Sequence, residues 1–390
     1  MTLAGRKLKC DVCGQPMRAN GKTPKGTQRF RCKDPACGAS ASRSNTRNDV
    51  ARRHELSWFL DWLFTGIMPT HISQRSFYRR TAWCWKITPP IPAPTGEIHR
   101  YLMLDGTYFN DYCVLVAYNG THVVGWQFCD REKNASWTAL IQPLVPPDIA
   151  VVDGNGPLER VICSLWPDTN LQRCYFHIRQ RIHTHLTRNP GTQPGRELLA
   201  LIKTLNTITT PDQAAAFQAE FASWASRWDS VLKERTYANQ QRSERPSYVK
   251  LGQQWWYTHL RLRRAYKLIN GLITGDKLFT WMTQSQPDEA LPKTTNPLEG
   301  GVNTAAKELL RKHRGMTPKH AMKAIGWLLY FKTENPADPW TLVHPEHWET
   351  TAKTTAKQMP PERIGPALYD TAFSAQDGNG IQQGWGGRSR

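Results

Sequence analysis

The 390-residue chain has no apolar run approaching the ~20 residues that a membrane-spanning helix needs. Its first residues, MTLAGRKLKC, lack the apolar core of a signal peptide. No internal repeat is present. These absences exclude a membrane-spanning protein and a repeat array. We therefore expect a cytoplasmic protein whose cysteines stay reduced.

Acidic residues are scarce, with 32 Asp and Glu against 51 Lys and Arg, and the formal net charge is +19. The first 100 residues hold 18 Lys and Arg against 6 Asp and Glu, so most of the excess positive charge lies there. Such a basic segment is typical of a protein that binds a polyanion, and nucleic acid is the simplest candidate. The 39% apolar content predicts globular domains, and the length allows two or three.

Four of the nine cysteines form two close pairs near the start, Cys10-x2-Cys13 and Cys32-x4-Cys37. In a reducing compartment, two such pairs predict four thiolates around one structural Zn²⁺. We therefore predict a zinc ribbon at 1–45.

A helical DNA-binding region with a Pro-rich linker is predicted at 46–94. Apolar residues at helical spacing predict a helix at 51–64, and Ser73 is a candidate cap for a second helix at 73–86. The pair has the outline of a helix-turn-helix, and a plain helical hairpin is the alternative.

From residue 95 the pattern changes to strands and intervening helices. Asn119-Gly120 between two apolar runs is a strong hairpin signal. The order predicts an α/β fold with a mixed sheet that resembles the ribonuclease H fold, interrupted by an all-helical insertion. The predicted segments are the first part of the core (95–190), the insertion (191–292), the last part of the core with a helix carrying Glu299 (293–335), and a partly disordered C-terminal extension (336–390).

Three carboxylates, those of Asp105, Asp153 and Glu299, are candidate metal ligands because of the residues around them. Asp105 and Asp153 each follow an apolar strand and precede a glycine, and Glu299 precedes Gly300-Gly301. Carboxylates at the carboxyl ends of neighbouring strands meet in one crevice, where they suit a pair of Mg²⁺ (or Mn²⁺) ions. The alternatives are that each Asp-Gly is only a turn, and that Glu299 belongs to a capping box that begins at Asn296.

These residues carry a resemblance. The order Asp105, Asp153, Cys174-x2-His177 and Asn296-x2-Glu299 resembles the Mutator-like superfamily of DDE transposases, in particular its bacterial insertion-sequence members. The resemblance covers roughly 99–331, and the gaps of 48 and 146 residues between the carboxylates match a core interrupted before the Glu. It implies that Asp105, Asp153 and Glu299 are the catalytic, metal-binding triad with two ions per active site.

The same resemblance makes Cys174, His177 and Asn296 a family signature. For Cys174 and His177 we favour a structural or DNA-positioning role, because two ligands alone hold zinc poorly; a metal site is the alternative. It also implies a bacterial, nucleoid-associated protein that acts as a homodimer or higher oligomer on DNA.

Basic and aromatic side chains supply the candidate DNA contacts. For Trp255 and Trp256, a place in the core or an interface is the alternative. The predicted contacts are Arg173, Arg179, Arg181, Asn303, Lys307, Arg314, Trp255 and Trp256.

The sequence therefore predicts a DNA transposase that binds terminal inverted repeats and target DNA, and that cleaves and joins strands with divalent metal. The alternatives are a non-catalytic DNA-binding regulator on an inactivated transposase scaffold, and a structure-specific nuclease that cuts without joining.

Overall fold

The computed structural model describes residues 9–10, 12–24, 27–42, 44–239, 245–283 and 291–348. These residues divide into two compact units. The first unit takes its described residues from 1–89, 309–324 and 337–354, and the second from 90–308 and 325–336. Helices α11 (Thr304–Lys312) and α12 (Pro318–Phe331) contribute residues to both units.

The first unit combines a small sheet with helices. Strands β1 (Met17–Lys22), β2 (Gln28–Cys32) and β3 (Ser40–Ser42) form an antiparallel sheet in that order. Helix α1 spans Ser44–Thr65 and α2 spans Gln74–Thr81, followed by a 3-10 helix at Ala82–Lys86. The prediction of two helices is thus confirmed, and Ser73 caps α2 by accepting a hydrogen bond from the backbone N–H of Ser76.

Buried Glu55 links α1 to the segment that follows it. Its carboxylate accepts hydrogen bonds from Arg52, Arg80 and the indole N–H of Trp83, at 2.8–3.0 Å. A buried carboxylate is tolerated here because each oxygen has a cationic or N–H partner. The end of α1 is fixed by Lys312 and His313, which donate to the carbonyls of Phe64 and Leu63. Basic groups commonly satisfy the last carbonyls of a helix in this way.

The second unit is built on a five-stranded mixed sheet. Its strands are β4 (Tyr101–Phe109), β5 (Tyr112–Tyr118), β6 (Val123–Cys129), β7 (Ile149–Val152) and β8 (Asn170–Arg173). They lie in the order β6-β5-β4-β7-β8, in which β4, β5 and β6 pair antiparallel and β7 and β8 run parallel to β4. The predicted hairpin at Asn119-Gly120 is confirmed by the pairing of β5 with β6.

Three helices accompany the sheet, namely α3 (Asn134–Ile141), α4 (Gly156–Leu165) and α5 (Tyr175–Leu186). Leu102 and Leu104 of β4 lie in one apolar core with Trp137 of α3 and Ile162 of α4. Side chains alternate along a strand, so Asp105 projects from the face opposite this core.

The insertion packs with α5 around a second core, which contains Ile182 of α5 together with Leu198, Phe217 and Ile269. The prediction that it is all-helical was wrong in one respect, because two short strands of aromatic and β-branched residues pair antiparallel within it. Residues 240–244 and 284–290 of the predicted insertion lie outside the described residues. Its elements are α6 (Gln193–Lys203), α7 (Pro211–Arg227), α8 (Asp229–Lys233), β9 (Arg235–Tyr237), β10 (Trp255–Tyr257), α9 (Leu260–Thr274) and α10 (Thr280–Thr283).

A π-helix at Leu298–Asn303 precedes α11. After α12, the described chain ends with 3-10 helices at Pro339–Leu342 and Pro345–His347. Most of the predicted C-terminal extension, from residue 349 on, lies outside the described residues. No helix among the described residues is long and apolar enough to cross a bilayer.

Candidate functional site

Sheet register brings Asp105 and Asp153 together. Leu104 of β4 pairs with Val152 of β7, so the next residue of each chain is an aspartate at the same edge. The sequence places Asp105 after an apolar strand, but β4 does not end there. It continues to Phe109, because β5 pairs with it up to Tyr112. Asp105 therefore lies within β4, at the point where the parallel neighbour ends.

Each aspartate accepts a hydrogen bond from an asparagine. The side-chain amide of Asn303 donates to Oδ2 of Asp105 at 2.8 Å, and the backbone N–H of Asn155 donates to Oδ1 of Asp153 at 2.8 Å. Burial, together with the negative charges of Asp153 and Glu299, raises the pKa of Asp105 to about 8. Three carboxylates in a poorly solvated place destabilise each other's charges unless a cation is present.

Glu299 lies in the π-helix rather than in an ordinary first turn. Its Oε1 accepts a hydrogen bond of 2.6 Å from the hydroxyl of Thr295. Asn296 is exposed, and the helix is already formed at that residue, so it does not begin the capping box that was the alternative interpretation of Glu299. A π-turn holds one more residue than an α-turn, which shifts the faces of the following helix, and such turns are frequent at functional sites. Asn303, one of the predicted DNA contacts, is buried and donates to Asp105 instead.

Cys174 and His177 lie beside Glu299. Cys174 immediately precedes α5. Its Sγ accepts a hydrogen bond from the backbone N–H of Thr295 and lies 3.2 Å from the Thr295 hydroxyl oxygen. His177 Nδ1 is 3.7 Å from Glu299 Oε1. Burial alone would lower the pKa of His177, but Cys174, Asp153 and Asp105 together raise it to about 10.

A fourth acidic residue, Glu132, was missed in the sequence. It is buried, and its Oε2 accepts a hydrogen bond of 2.7 Å from the side-chain amide of Asn155. Burial and the charges of Asp153 and Asp105 raise its pKa well above the usual range. Glu132 stands in a polar loop without strand context, so no sequence pattern marked it. Asn155 was detectable, because an Asn two residues before Pro157 is a typical helix start, and it caps α4.

The glycines after the two aspartates are explained by close packing. A Cβ on Gly106 would lie 2.6 Å from Cδ of Glu132. A Cβ on Gly154, whose φ is +94°, would coincide with the guanidinium of Arg173. The Asp-Gly pairs are therefore places where a second side chain crosses the backbone, which a turn alone does not require.

The predicted DNA-contacting residues differ in exposure. Arg173 is buried and forms an ion pair with Glu159, a geometry that does not favour a phosphate contact. Trp256 is buried in β10, which favours the interpretation as a packing residue, while Trp255 is partly exposed with Arg235 over its ring at 4.1 Å. Arg181 is half-buried, and the exposed members of the set are Arg179, Lys307 and Arg314.

The N-terminal cysteines are also brought together. Sγ of Cys13 lies 3.4 Å from Sγ of Cys32, and Sγ of Cys10 lies 3.7 Å from Sγ of Cys37. All four sulfur atoms are within 4.8 Å of one another, as a tetrahedral metal site requires. Backbone N–H groups of Cys13 and Val12 lower the pKa of Cys10 to about 7, which favours the thiolate.

Among the described residues, two sets of three or more candidate ligands have all their ligand atoms within 4.8 Å of one another. One is the N-terminal cysteine cluster, and the other comprises Cys174, His177 and Glu299. Asp105 and Asp153 are in neither set. The ligand atoms of Asp105, Asp153 and Glu299 are therefore not all within 4.8 Å of one another, and carboxylates that hold an ion pair about 3.5–4 Å apart need not all meet at one point.

Comparison with known proteins identifies relatives for the middle of the chain. Residues 111–258 match the family model "Transposase, Mutator family". The transposase for insertion sequence element IS905 from Lactococcus lactis subsp. lactis (strain IL1403) is 26% identical over 153 residues. That alignment covers 35% of this chain and 38% of the relative, well under two thirds of the relative's length.

These matches confirm the predicted resemblance to bacterial insertion-sequence transposases of the Mutator-like type. The matched range includes Glu132, Asp153, Cys174 and His177. Asp105 and Glu299 fall outside it.

Proposed function

We propose that this protein is a DNA transposase that binds the terminal inverted repeats of an insertion sequence, cleaves at its ends and joins them to target DNA. The observation that carries the proposal is the meeting of Asp105 and Asp153 at one sheet edge, with Glu299 close enough to raise the pKa of Asp105. A Mutator-family match around this site supports the assignment.

The proposed core is ribonuclease H-like. Three antiparallel strands followed by two strands parallel to the first, with helices between them, support this interpretation. The domain scheme predicted from the sequence, with a ribbon at 1–45, a DNA-binding region at 46–94, a core interrupted at 191–292 and an extension after 335, remains our proposal. A helix-turn-helix role for α1 and α2 belongs to the same proposal.

Asp105, Asp153 and Glu299 would hold two Mg²⁺ or Mn²⁺ ions. The donor set fits, because all three ligands are oxygen and the raised pKa of Asp105 marks negative charge that a cation would neutralise. Bound ions would activate the attacking oxygen and stabilise the leaving one. The chain's own contribution is to fix the carboxylates. Asn303 orients Asp105, the Asn155 backbone orients Asp153, and Thr295 orients Glu299.

Space for DNA is available beside Glu299. Gly300 and Gly301 are exposed, and no described atom outside their own helix lies within 4 Å of a Cβ built on either. Two such glycines cost helix stability of about 1 kcal/mol each relative to alanine, so their presence favours close approach of a phosphodiester backbone. Arg179, Lys307 and Arg314 are exposed and are our proposed phosphate contacts, with half-buried Arg181 as a further candidate and Trp255 as the candidate for base stacking.

The cysteine cluster of the first unit would hold one structural Zn²⁺. The ribbon sheet is a candidate DNA-binding surface, because its strands β1 and β2 carry four exposed basic side chains: Arg18, Lys22, Arg29 and Arg31. Joining two element ends to one target implies a homodimer or a higher oligomer on DNA.

The experiment that tests this function uses the full chain, a labelled terminal-repeat duplex, a target plasmid and Mg²⁺. We expect the label to appear covalently joined to the plasmid. Cleavage without joining would identify a nuclease instead, and binding without cleavage a regulator on an inactivated scaffold.

A further inference from the structure

We propose that Cys174, His177 and Glu299 form a second metal site, selective for Zn²⁺ or a similarly thiophilic divalent ion, which shares Glu299 with the magnesium triad. Binding of the ion stands on the structure alone. Its effect on catalysis rests on the proposed function.

The geometry is close to that of a zinc site. The three ligand atoms lie within 4.8 Å of one another, and His177 Nδ1 and Glu299 Oε1 are 3.7 Å apart. Tetrahedral zinc with bonds of about 2.0–2.3 Å separates its ligand atoms by roughly 3.3–3.6 Å. A small contraction would complete the site, with the fourth position open.

An unsatisfied atom points into this cluster. His177 Nδ1 is buried and has no hydrogen-bond partner among the described residues. Leaving such a nitrogen unpaired is unfavourable, and coordination would satisfy it. As at other thiolate–imidazole sites, binding displaces the protons of its ligands.

Thr295 supplies the outer contacts that such a site needs. Its backbone N–H and hydroxyl lie 3.3 and 3.2 Å from Cys174 Sγ, and the same hydroxyl lies 2.6 Å from Glu299 Oε1. Hydrogen bonds to ligand atoms fix their orientation and tune a metal centre. Thr295 is fully buried, so these contacts are shielded from water.

The donor set distinguishes this site from the magnesium site. Sulfur, nitrogen and one carboxylate oxygen suit zinc, whereas magnesium prefers oxygen alone. Cys174 and His177 alone are two ligands, and the fold adds Glu299 as the third. Because Glu299 would also bind magnesium, zinc at this site should withdraw a catalytic ligand and inhibit joining.

Metal content of the full-length protein tests the binding. After equilibration with Zn²⁺ and removal of free ion, we expect about two zinc ions per chain, one in the ribbon and one here. Cys174→Ala and His177→Gln should each reduce the content to about one. Cys163→Ala, which removes an exposed thiol elsewhere, should leave two. Circular dichroism and thermal unfolding check that each variant is folded.

Two results would overturn the proposal. One is a folded Cys13→Ser protein that holds no zinc at all, since the second site should then still hold one ion. The other is a folded Cys174→Ala or His177→Gln protein that retains two ions.

The catalytic consequence is tested separately. In Mg²⁺, zinc should inhibit joining by the wild type, and Cys174→Ala should need at least roughly tenfold more zinc for the same fractional inhibition. Equal sensitivity would contradict the shared use of Glu299. If the protein joins no DNA at all, the proposed function fails while the metal-content result still decides the site.

Discussion

Glu132 accepts a 2.7 Å hydrogen bond from the side-chain amide of Asn155, and this contact links the segment before α3 to the loop that carries Asp153. The same Asn155 donates its backbone N–H to Asp153 and caps α4 with its side-chain oxygen. Glu132 also packs against Gly106, next to Asp105. Glu132 thus contacts a residue close to each of the two aspartates, Gly106 beside Asp105 and Asn155 near Asp153.

We predict that Glu132→Ala lowers stability by about 1–3 kcal/mol, because the buried amide of Asn155 loses its acceptor. Joining should fall by roughly tenfold or more, since Asp153 is no longer held in place. Thermal unfolding and the joining assay measure the two effects.

Glu132→Gln is the matched control. Gln keeps a side-chain oxygen that can accept from Asn155, and burial, which raises the pKa of Glu132, already disfavours the charge that Gln lacks. Stability and joining should stay near wild type. A Gln variant as impaired as the Ala variant would show that the charge of Glu132, rather than its hydrogen bond, is required.

Metal binding at the triad should depend on pH. Asp105 has a pKa of about 8, so below that pH it is protonated, and an ion must displace the proton. Affinity for Mn²⁺ should therefore rise as pH increases toward about 8 and then level off. At about pH 7, calorimetry in buffers of different ionisation enthalpy should detect release of close to one proton.

Asp148→Asn is the control for this measurement, because Asp148 is exposed, pairs with Arg100 and stands at the start of its strand. It should leave the proton release unchanged, and Asp105→Asn should remove it. Affinity that does not vary between about pH 6 and pH 9 would contradict the role given to Asp105.

Local patterns predicted much of the fold. Apolar periodicity and the Asn-Gly turn identified the β5–β6 hairpin, and Asp105 and Asp153 were found because each follows an apolar strand. The pairing register of β4 with β7, which composition does not reveal, determines which carboxylates lie side by side. Only the pairing of Leu104 with Val152 makes the two aspartates neighbours.

The failures have a common physical cause, namely contacts between residues distant in sequence. Asn303, one of the predicted DNA contacts, instead donates to Asp105, 198 residues away in sequence. Arg173 was predicted to contact DNA, but in the structure it forms an ion pair with Glu159, 14 residues earlier in the chain. Glu132 lies in no recognisable pattern, and its position depends on Asn155 and Gly106.

The ribbon is tested by Cys13→Ser in the full-length protein. Removing one of four thiolates should release the N-terminal zinc and destabilise the small sheet, because structural zinc contributes to the folding free energy of so small a unit. Metal analysis and thermal unfolding report the change. Zinc content equal to that of wild type would refute the site, and Cys163→Ser is the control at an exposed thiol.

Salt dependence tests the DNA-binding surface. Arg18, Arg29 and Arg31 are exposed on the ribbon sheet. If all three contact phosphate, replacing them with Ala should reduce the slope of log K against log salt by about 0.9 for each contact. Arg227→Ala is the control, because Arg227 lies in the insertion near Glu197. An unchanged slope in the triple variant would locate the phosphate contacts elsewhere.

The most direct test of the account is strand joining by Glu299→Gln in Mg²⁺. Gln keeps an oxygen that can accept from Thr295, so the melting temperature should stay near that of wild type. The charge is lost, and ligands that act as a unit are strongly non-additive, so joining should fall to background while repeat binding persists. Asp105→Asn and Asp153→Asn should behave alike. A Glu299→Gln protein that joins DNA at a rate near wild type would contradict the triad.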